Sequence, residues 1–119
     1  MIDHVGITTR QFETMLDFYQ AALAPLGYGK LAEYEGVAGL GREVADFWIS
    51  RHEQGGGPVH LALATTKRGE VDAFYLAALG AGGRDNGAPG LRPHYSPTYY
   101  AAFVIDPDGN NFEVVCREG

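Results

Sequence analysis

The chain has few of the residues that disulfide, zinc–cysteine and nucleic-acid chemistry require. Its 119 residues include one cysteine, so no disulfide can form within the chain and a zinc site built from cysteines is excluded. Lysine and arginine number 9 against 15 aspartate and glutamate residues, which gives a formal net charge of −6. Because nucleic-acid surfaces need clustered basic residues, this balance predicts that the chain binds no nucleic acid.

Long hydrophobic runs are also missing. No stretch approaches the ~20 apolar residues of a membrane-spanning helix, and the first residues lack the basic-then-apolar layout of a signal peptide. We therefore predict no membrane segment and a cytoplasmic location. A length of 119 residues suits one domain with an ordinary core, and we predict a single domain over residues 1–119.

Residues 101–116 (AAFVIDPDGNNFEVVC) carry the clearest local pattern. Apolar β-branched and aromatic residues flank the turn sequence at 106–109 (DPDG), which is typical of a β-hairpin. Glu113 is the one carboxylate in the second, otherwise apolar strand of this hairpin. Since carboxylates are rarely buried unless they are paired, hydrogen-bonded or bound to a metal, Glu113 is a candidate functional residue.

The rest of the chain is predicted to consist of strands and two helices. In the first half the patterns indicate one helix with an apolar face from Phe12 to Leu26, and strands over residues 1–8, 28–34, 37–41 and 45–51. After a glycine-rich stretch, they indicate a strand over residues 59–65, a helix over residues 70–79 and a loop-rich segment over residues 84–97.

Two short motifs recur at one offset. Residues 18–23 (FYQAAL) return as residues 74–79 (FYLAAL), and residues 4–7 (HVGI) return as residues 60–63 (HLAL), both shifted by 56 positions. Two matches at the same shift indicate an internal duplication. We predict two modules, over about residues 1–53 and 58–117, each with a strand, a helix and about three further strands.

The duplication places His4 and His60 at equivalent positions, and Glu113 lies in the last strand of the second module. Two imidazoles and one carboxylate form a set that suits Fe(II), Mn(II), Ni(II), Zn(II) or Co(II), with coordination positions left open. A strand histidine taken alone is more often an ordinary core or edge residue. The metal interpretation depends on three polar residues interrupting apolar strands, two of them related by the repeat.

These motifs together resemble the vicinal oxygen chelate superfamily, which includes glyoxalase I, bleomycin-resistance proteins, fosfomycin-resistance thiol transferases and extradiol dioxygenases. The resemblance covers nearly the whole chain and is carried by residues 4–7 (HVGI), 17–19 (DFY), 60–63 (HLAL) and 103–113 (FVIDPDGNNFE). It implies an α+β fold in which two βαβββ modules form an open, cup-shaped mixed β-sheet. It also implies metal ligands at His4, His60 and Glu113, and a homodimer in which His4 of one chain meets His60 and Glu113 of the other.

One position departs from the glyoxalase I pattern, which has a fourth ligand, a carboxylate, in the last strand of the first module. We match that position to Phe47, which cannot bind a metal, whereas Asp46 would serve only with a one-residue shift of register. The three-ligand set is therefore more similar to that of the thiol transferases or dioxygenases.

Three further residues are candidates for catalysis. Tyr99 and Tyr100 enter the hairpin, strand alternation turns one of them to the cleft, and we select Tyr100 as a hydrogen-bond donor to substrate. His94 and Arg92 lie in the loop-rich segment and are candidates for a proton donor and an anion contact. Exposed loop residues without a role are the alternative for both.

These features predict a divalent-metal-dependent enzyme that acts on a small oxygen-bearing molecule by Lewis-acid catalysis, of the lyase, thiol-transferase or dioxygenase type. The alternative is a metal-free protein that binds small molecules such as antibiotics, as bleomycin-resistance proteins do.

Overall fold

The computed structural model describes residues 1–119 and contains two modules of the same element order. The first module consists of β1 (Val5–Thr9), α1 (Phe12–Leu23), β2 (Gly29–Tyr34), β3 (Val37–Gly41) and β4 (Ala45–Arg51). The second consists of β5 (His60–Thr65), α2 (Arg68–Gly80), β6 (Arg84–Leu91), β7 (Tyr100–Ile105) and β8 (Asn111–Cys116). A short 3-10 turn, Ala24–Leu26, extends α1 and ends at Gly27, whose φ of 82° is easily adopted only by glycine.

Each module folds into a four-stranded mixed sheet. The strand orders are β1-β4-β3-β2 and β5-β8-β7-β6, and the first strand of each module pairs in parallel with the last. The predicted α+β fold of two βαβββ modules is therefore confirmed. Neither helix has the length and apolar character needed to cross a membrane.

One hydrophobic core joins the two modules. The ring of Tyr19 on α1 lies 5.0 Å from that of Phe47 on β4 and 5.0 Å from that of Phe112 on β8. The Tyr19 hydroxyl donates to Asp106 Oδ2 at 2.6 Å, which ties α1 to the turn before β8. Burial and this hydrogen bond raise the pKa of Tyr19 far above its usual range. The helix-covered face of both sheets thus forms one interior.

The opposite face of each sheet is called the open face here. Strand alternation divides the residues cleanly, because neighbouring side chains of a strand point to opposite faces. In β8, Phe112, Val114 and Cys116 belong to the core cluster, whereas Glu113 lies between them in sequence and on the open face.

The predicted loop-rich segment over residues 84–97 is wrong for its first half, where the structure has the strand β6. This segment (RDNGAPGL) has no hydrophobic alternation, so its sequence gave no strand signal. It pairs with β7 at the edge of the sheet, with register shifts at Gly87 and Gly90. The partner strand and the main-chain hydrogen bonds, and not side-chain pattern, define it as a strand.

Candidate functional site

Glu113 lies at the centre of the second sheet. Its strand neighbours are Ala62 on β5 and Phe103 on β7, and the residue is only 2% exposed. Ala62 has a small side chain, so the carboxylate has room beside it on the open face. A buried carboxylate in the middle of a sheet needs partners, and those partners define the candidate site.

Two side chains contact the Glu113 carboxylate. His60 Nε2 lies 2.8 Å from Oε1, and because a carboxylate only accepts, this ring nitrogen carries the proton of the hydrogen bond. The Tyr99 hydroxyl donates to Oε2. Burial, and then the hydrogen bond to Glu113, raise the pKa of Tyr99 to about 12. Tyr99 therefore keeps its proton at neutral pH and acts as a donor.

These three residues form the floor of a cavity of about 520 Å³ on the open face of the second sheet. Its walls are mainly aromatic: the His94 ring lies 4.2 Å from that of Tyr95, which in turn lies 5.0 Å from that of Tyr99. The cavity is lined by His60, His94, Tyr95, Tyr99, Phe103, Glu113 and Arg117. All seven belong to the second module. The arrangement offers a polar floor and flat apolar walls to a small molecule.

The structure brings together His60 and Glu113 but leaves His4 apart from them. His4 precedes β1, is exposed, and its Nδ1 lies 2.7 Å from Asp3 Oδ1. It lines a separate groove along β1 and β5. No three histidine, cysteine or acidic side chains of the chain lie close enough together to hold a metal ion. One chain thus supplies two of the three predicted ligands to one place.

Of the residues predicted for catalysis, His94 lines the cavity and Arg92 does not. Arg92 folds back on its own segment, where its guanidinium donates to the carbonyl oxygens of Ala88 and Gly90 at 2.9 and 2.8 Å. It also lies 5.3 Å from the centre of the Phe103 ring. Arg92 therefore supports the cavity wall from outside and is not placed to contact an anion in it.

The structure places Tyr99, and not Tyr100, beside Glu113. Tyr100 pairs with Cys116 on the core side of the sheet, and its hydroxyl donates to Asp72 on α2 at 2.6 Å. Tyr99 and Phe103 are four residues apart and so face the same side, but only the strand pairing shows that this side is the one that carries Glu113.

The match of Phe47 to the missing fourth ligand is wrong by one residue. Val5 pairs with Phe47 in the first sheet and Leu61 pairs with Phe112 in the second, so the residue equivalent to Glu113 is Trp48. Phe47 is 0% exposed and belongs to the core. Trp48 and Glu113 are 65 positions apart, whereas the repeated motifs are 56 apart, so this equivalence is visible only in the strand pairing.

Trp48 and Asp46 occupy the open face of the first sheet. The Trp48 indole lies over Gly39 on β3, where a Cβ atom would come within 2.8 Å of the ring, so the glycine makes room for it. Asp46 accepts hydrogen bonds from the Tyr28 hydroxyl at 2.8 and 3.0 Å. Burial and these bonds raise the pKa of Tyr28 to about 12. The first module thus presents an indole where the second presents a carboxylate.

The two ligand atoms that one chain brings together at Glu113 suit a divalent cation. Imidazole nitrogen and carboxylate oxygen are both ligands of first-row divalent metals, and here one of each points to the same place. No lysine or arginine neutralises Glu113, whose only ion-pair partner is His60. The residues therefore fit two of the three predicted ligand positions, and a third protein ligand would come from outside the cavity.

Comparison with known proteins agrees with the fold. The sequence model of the Glyoxalase/Bleomycin resistance protein/Dioxygenase superfamily matches residues 1–114. A glyoxalase/bleomycin resistance protein from Albidiferax ferrireducens is 27% identical, with 98% of each chain covered and a TM-score of 0.83. A search of curated proteins found no match.

Two further solved structures are similar in fold. A glyoxalase/bleomycin resistance protein/dioxygenase family enzyme from Burkholderia phytofirmans is 22% identical, with 96% of each chain covered and a TM-score of 0.75. A bleomycin resistance determinant encoded on the transposon Tn5 is 20% identical, covers 93% of this chain and 92% of its own, and has a TM-score of 0.66.

Proposed function

The chain belongs to the Glyoxalase/Bleomycin resistance protein/Dioxygenase superfamily, and on that basis we propose that it is a divalent-metal-dependent enzyme acting on a small oxygen-bearing molecule. One observation carries the proposal. Glu113, a carboxylate 2% exposed at the floor of an open cavity, has His60 Nε2 at 2.8 Å and no lysine or arginine partner. Buried carboxylates without a cationic partner are characteristic of metal and catalytic sites.

His60 and Glu113 would hold the metal, and His4 of a second copy of the chain would supply the third ligand. The argument for a second copy is geometric. Every residue that lines the cavity comes from the second module, and His4 of the same chain lies in a different groove. An ion held there would act as a Lewis acid toward a substrate oxygen.

The chain's own side chains define what else happens in the cavity. Tyr99 keeps its proton because its pKa is raised, and its single O–H can donate to a substrate oxygen if it gives up its bond to Glu113. Tyr95 and Phe103 cover the walls with apolar surface and exclude water from a bound ligand. His94 is the titratable residue at the rim and is the candidate for moving a proton to or from the substrate.

The first test is the metal content of chain purified without chelators or a histidine tag, measured by elemental mass spectrometry. We expect close to one Fe, Mn, Ni, Zn or Co per chain, and loss of nearly all of it in Glu113→Gln. The matched control is Trp48→Phe, which changes the equivalent residue of the first module and leaves the ligands intact. A metal binds His60 only through an unprotonated ring nitrogen, so uptake should weaken as the solution is made acidic. Wild-type chain that takes up no added metal would contradict the proposal.

The second test concerns the origin of the third ligand. His4→Ala and Glu113→Gln chains each lack a complete site, but a dimer of one of each would regain one of its two sites if His4 is supplied across the dimer. We expect an equal mixture that is unfolded and refolded together to recover about a quarter of the wild-type metal, the share set by random pairing of two-fold dimers. No recovery would mean that the ligands are not shared in this way.

A second candidate function is metal-free binding of a small aromatic or cationic molecule, and the walls of the cavity favour it. The rings of His94, Tyr95 and Tyr99 contact one another in that order, and Tyr99 donates a hydrogen bond to Glu113. Aromatic faces and a carboxylate together suit a flat cation. Isothermal titration of chelator-treated chain with a panel of aromatic and cationic antibiotics separates the two functions. Binding that persists without metal, and that Tyr95→Ala weakens, would favour this candidate.

A further inference from the structure

A second cavity, of about 330 Å³, lies at the end of the open face and carries three cationic side chains. We name it the basic pocket, after Arg42, Lys67 and Arg117. We propose that the basic pocket binds an anionic group, a carboxylate or a phosphate, on the molecule whose oxygen-bearing part lies at Glu113. That the oxygen-bearing part of the same molecule lies at Glu113 rests on the proposed function. The inference adds that the substrate is an anion.

The three cations converge from separate parts of the fold. Arg42 lies in the turn between β3 and β4, Lys67 directly precedes α2, and Arg117 directly follows β8. The first module thus contributes a cation, Arg42, to a cavity that is otherwise lined by the second module. Convergence of distant segments on one cavity is typical of a binding site rather than of a solvated charged surface.

None of these three cations is used in an ion pair. The chain has four ion pairs within 4.0 Å, and they involve His4, Lys30, Arg51 and His60. Two carboxylates, Glu70 and Glu118, also line the pocket. Glu70 already accepts a hydrogen bond from the Thr65 hydroxyl. The guanidinium and ammonium groups thus keep free donors, in a chain whose formal net charge is −6.

The start of α2 adds donors on the same side. Lys67 occupies the N-cap position, and no side chain caps the helix there. The first N–H groups of a helix lack partners inside the helix, and their dipoles favour negative charge. The hydroxyl of Thr66 lines the pocket next to them. These groups reinforce a site that the three cations define.

The basic pocket is continuous with the site at Glu113. Arg117 lines both cavities, and its guanidinium lies 4.9 Å from the centre of the Tyr99 ring. Along β5 the open face carries Ala62, which pairs with Glu113, and then Ala64, which lines the basic pocket. Two residues along a strand span about 7 Å. Methyl side chains leave that path open to a ligand.

The chemistry of the pocket selects an anion. Arginine presents parallel N–H groups that match the oxygens of a carboxylate or phosphate, and lysine adds a point charge. A local cluster of cations on an acidic chain would also draw anionic molecules toward this end of the cavity and away from the rest of the surface. Because Ala62 and Ala64 are about 7 Å apart, the expected substrate carries its anionic group at least that far from the oxygen that lies at Glu113.

The test uses chelator-treated, full-length chain, so that metal chemistry does not interfere. Inorganic phosphate and acetate are titrated separately at constant ionic strength kept with sodium chloride, and backbone amide shifts are followed by NMR. We expect saturable shifts at Ala64, Thr66 and Glu118. Arg117→Gln and Arg42→Gln should each weaken binding about fivefold, as expected for one exposed charge. Arg42 lies away from Tyr99, so its variant separates anion binding from loss of the Arg117 contact with that ring.

Arg84→Gln is the matched control, because Arg84 is an exposed arginine at the start of β6 that lines neither cavity. Preference for phosphate or for acetate identifies which anion the pocket suits. Absence of saturation with both anions, or equal weakening in Arg84→Gln, would overturn the inference. His60→Ala separates this inference from the proposed function: it should remove metal and leave anion binding unchanged. Anion binding in a chain that never takes up metal would uphold the pocket while the proposed function fails.

Discussion

The two modules share a backbone but present different chemistry on their open faces. The equivalent strands pair with the same partners in the same sense, and Phe47 and Phe112 occupy the same core position. On the open face, however, the first module has Trp48 packed over Gly39, whereas the second has Glu113 held by His60. A duplicated unit can therefore keep its core and diverge at single open-face positions, because alternation isolates the two faces of a strand.

The cavity follows from this divergence. In the second module, the small side chain of Ala62 lies beside the carboxylate, and Tyr95 and Tyr99 line the same cavity. In the first module, the indole fills the corresponding space. The candidate site thus lies in one module, and the other contributes packing, Arg42 and, in the proposed dimer, His4.

The largest expected effect tests whether the two cores are as equivalent as the pairing indicates. Phe47→Ala and Phe112→Ala each remove a ring that is at most 1% exposed. Each should lower the free energy of unfolding by about 3–5 kcal/mol, the usual cost of emptying such a site. Chemical denaturation monitored by circular dichroism measures both. A large loss in one variant beside a small loss in the other would show that the modules do not share the core equally.

A smaller effect is expected where the helices differ. Tyr19 on α1 and Tyr75 on α2 are related by the 56-residue repeat, but only Tyr19 is buried and bonded to Asp106 across the modules. Tyr19→Phe removes one hydrogen-bond donor from a buried oxygen of Asp106. It should lower the free energy of unfolding by about 1–2 kcal/mol. Partial desolvation and the nearby Asp85 raise the pKa of the Tyr75 hydroxyl at the surface, so Tyr75→Phe should lower the unfolding free energy by less than Tyr19→Phe does. Equal effects of the two variants would remove this distinction between the helices.

The smallest effect concerns two of the five tyrosines with raised pKa values, one chosen from each module. Tyr28 donates to Asp46 and Tyr99 donates to Glu113, and each has a pKa of about 12. The unfolded chain ionises near pH 10, below both values, so the stabilisation is complete below pH 10 and is lost as pH rises from 10 through 12. Absorbance at 295 nm should show both ionising late. Tyr28→Phe and Tyr99→Phe should each remove one late step, and ionisation of Tyr99 near pH 10 would contradict its bond to Glu113.

Much of the fold could be predicted because its signals are local. The strands at 37–41 and 45–51 have the predicted bounds, since apolar and β-branched residues there directly encode a buried face. The turn at residues 106–109 (DPDG) could likewise be predicted from Pro107 and Gly109. Asp106 accepts main-chain bonds from Asp108 and Asn110 at 2.9 Å each, so the turn is built by its own side chain. β6 was missed because its pairing partner, β7, is not part of its own sequence.

The candidate site was only partly predictable. Glu113 and His60 were identified as candidates because a polar residue within an apolar strand can be recognised from the linear sequence. The choice between Tyr99 and Tyr100 required knowing which parity of β7 faces Glu113, and the match of Trp48 to Glu113 required the pairing of β1 with β4. A one-residue error in either register exchanges the two faces of a strand.

By itself the sequence determined the α+β class, the two modules, the hairpin and the position of Glu113 within an apolar strand, because periodicity, turn residues and repeats are properties of neighbouring residues. The tertiary structure alone decided the separation of His4 from His60, the turn of Arg92 back onto its own carbonyls, and the meeting of Arg42, Lys67 and Arg117 at one cavity. These depend on how sheets and helices pack, and packing brings together residues that no local pattern relates.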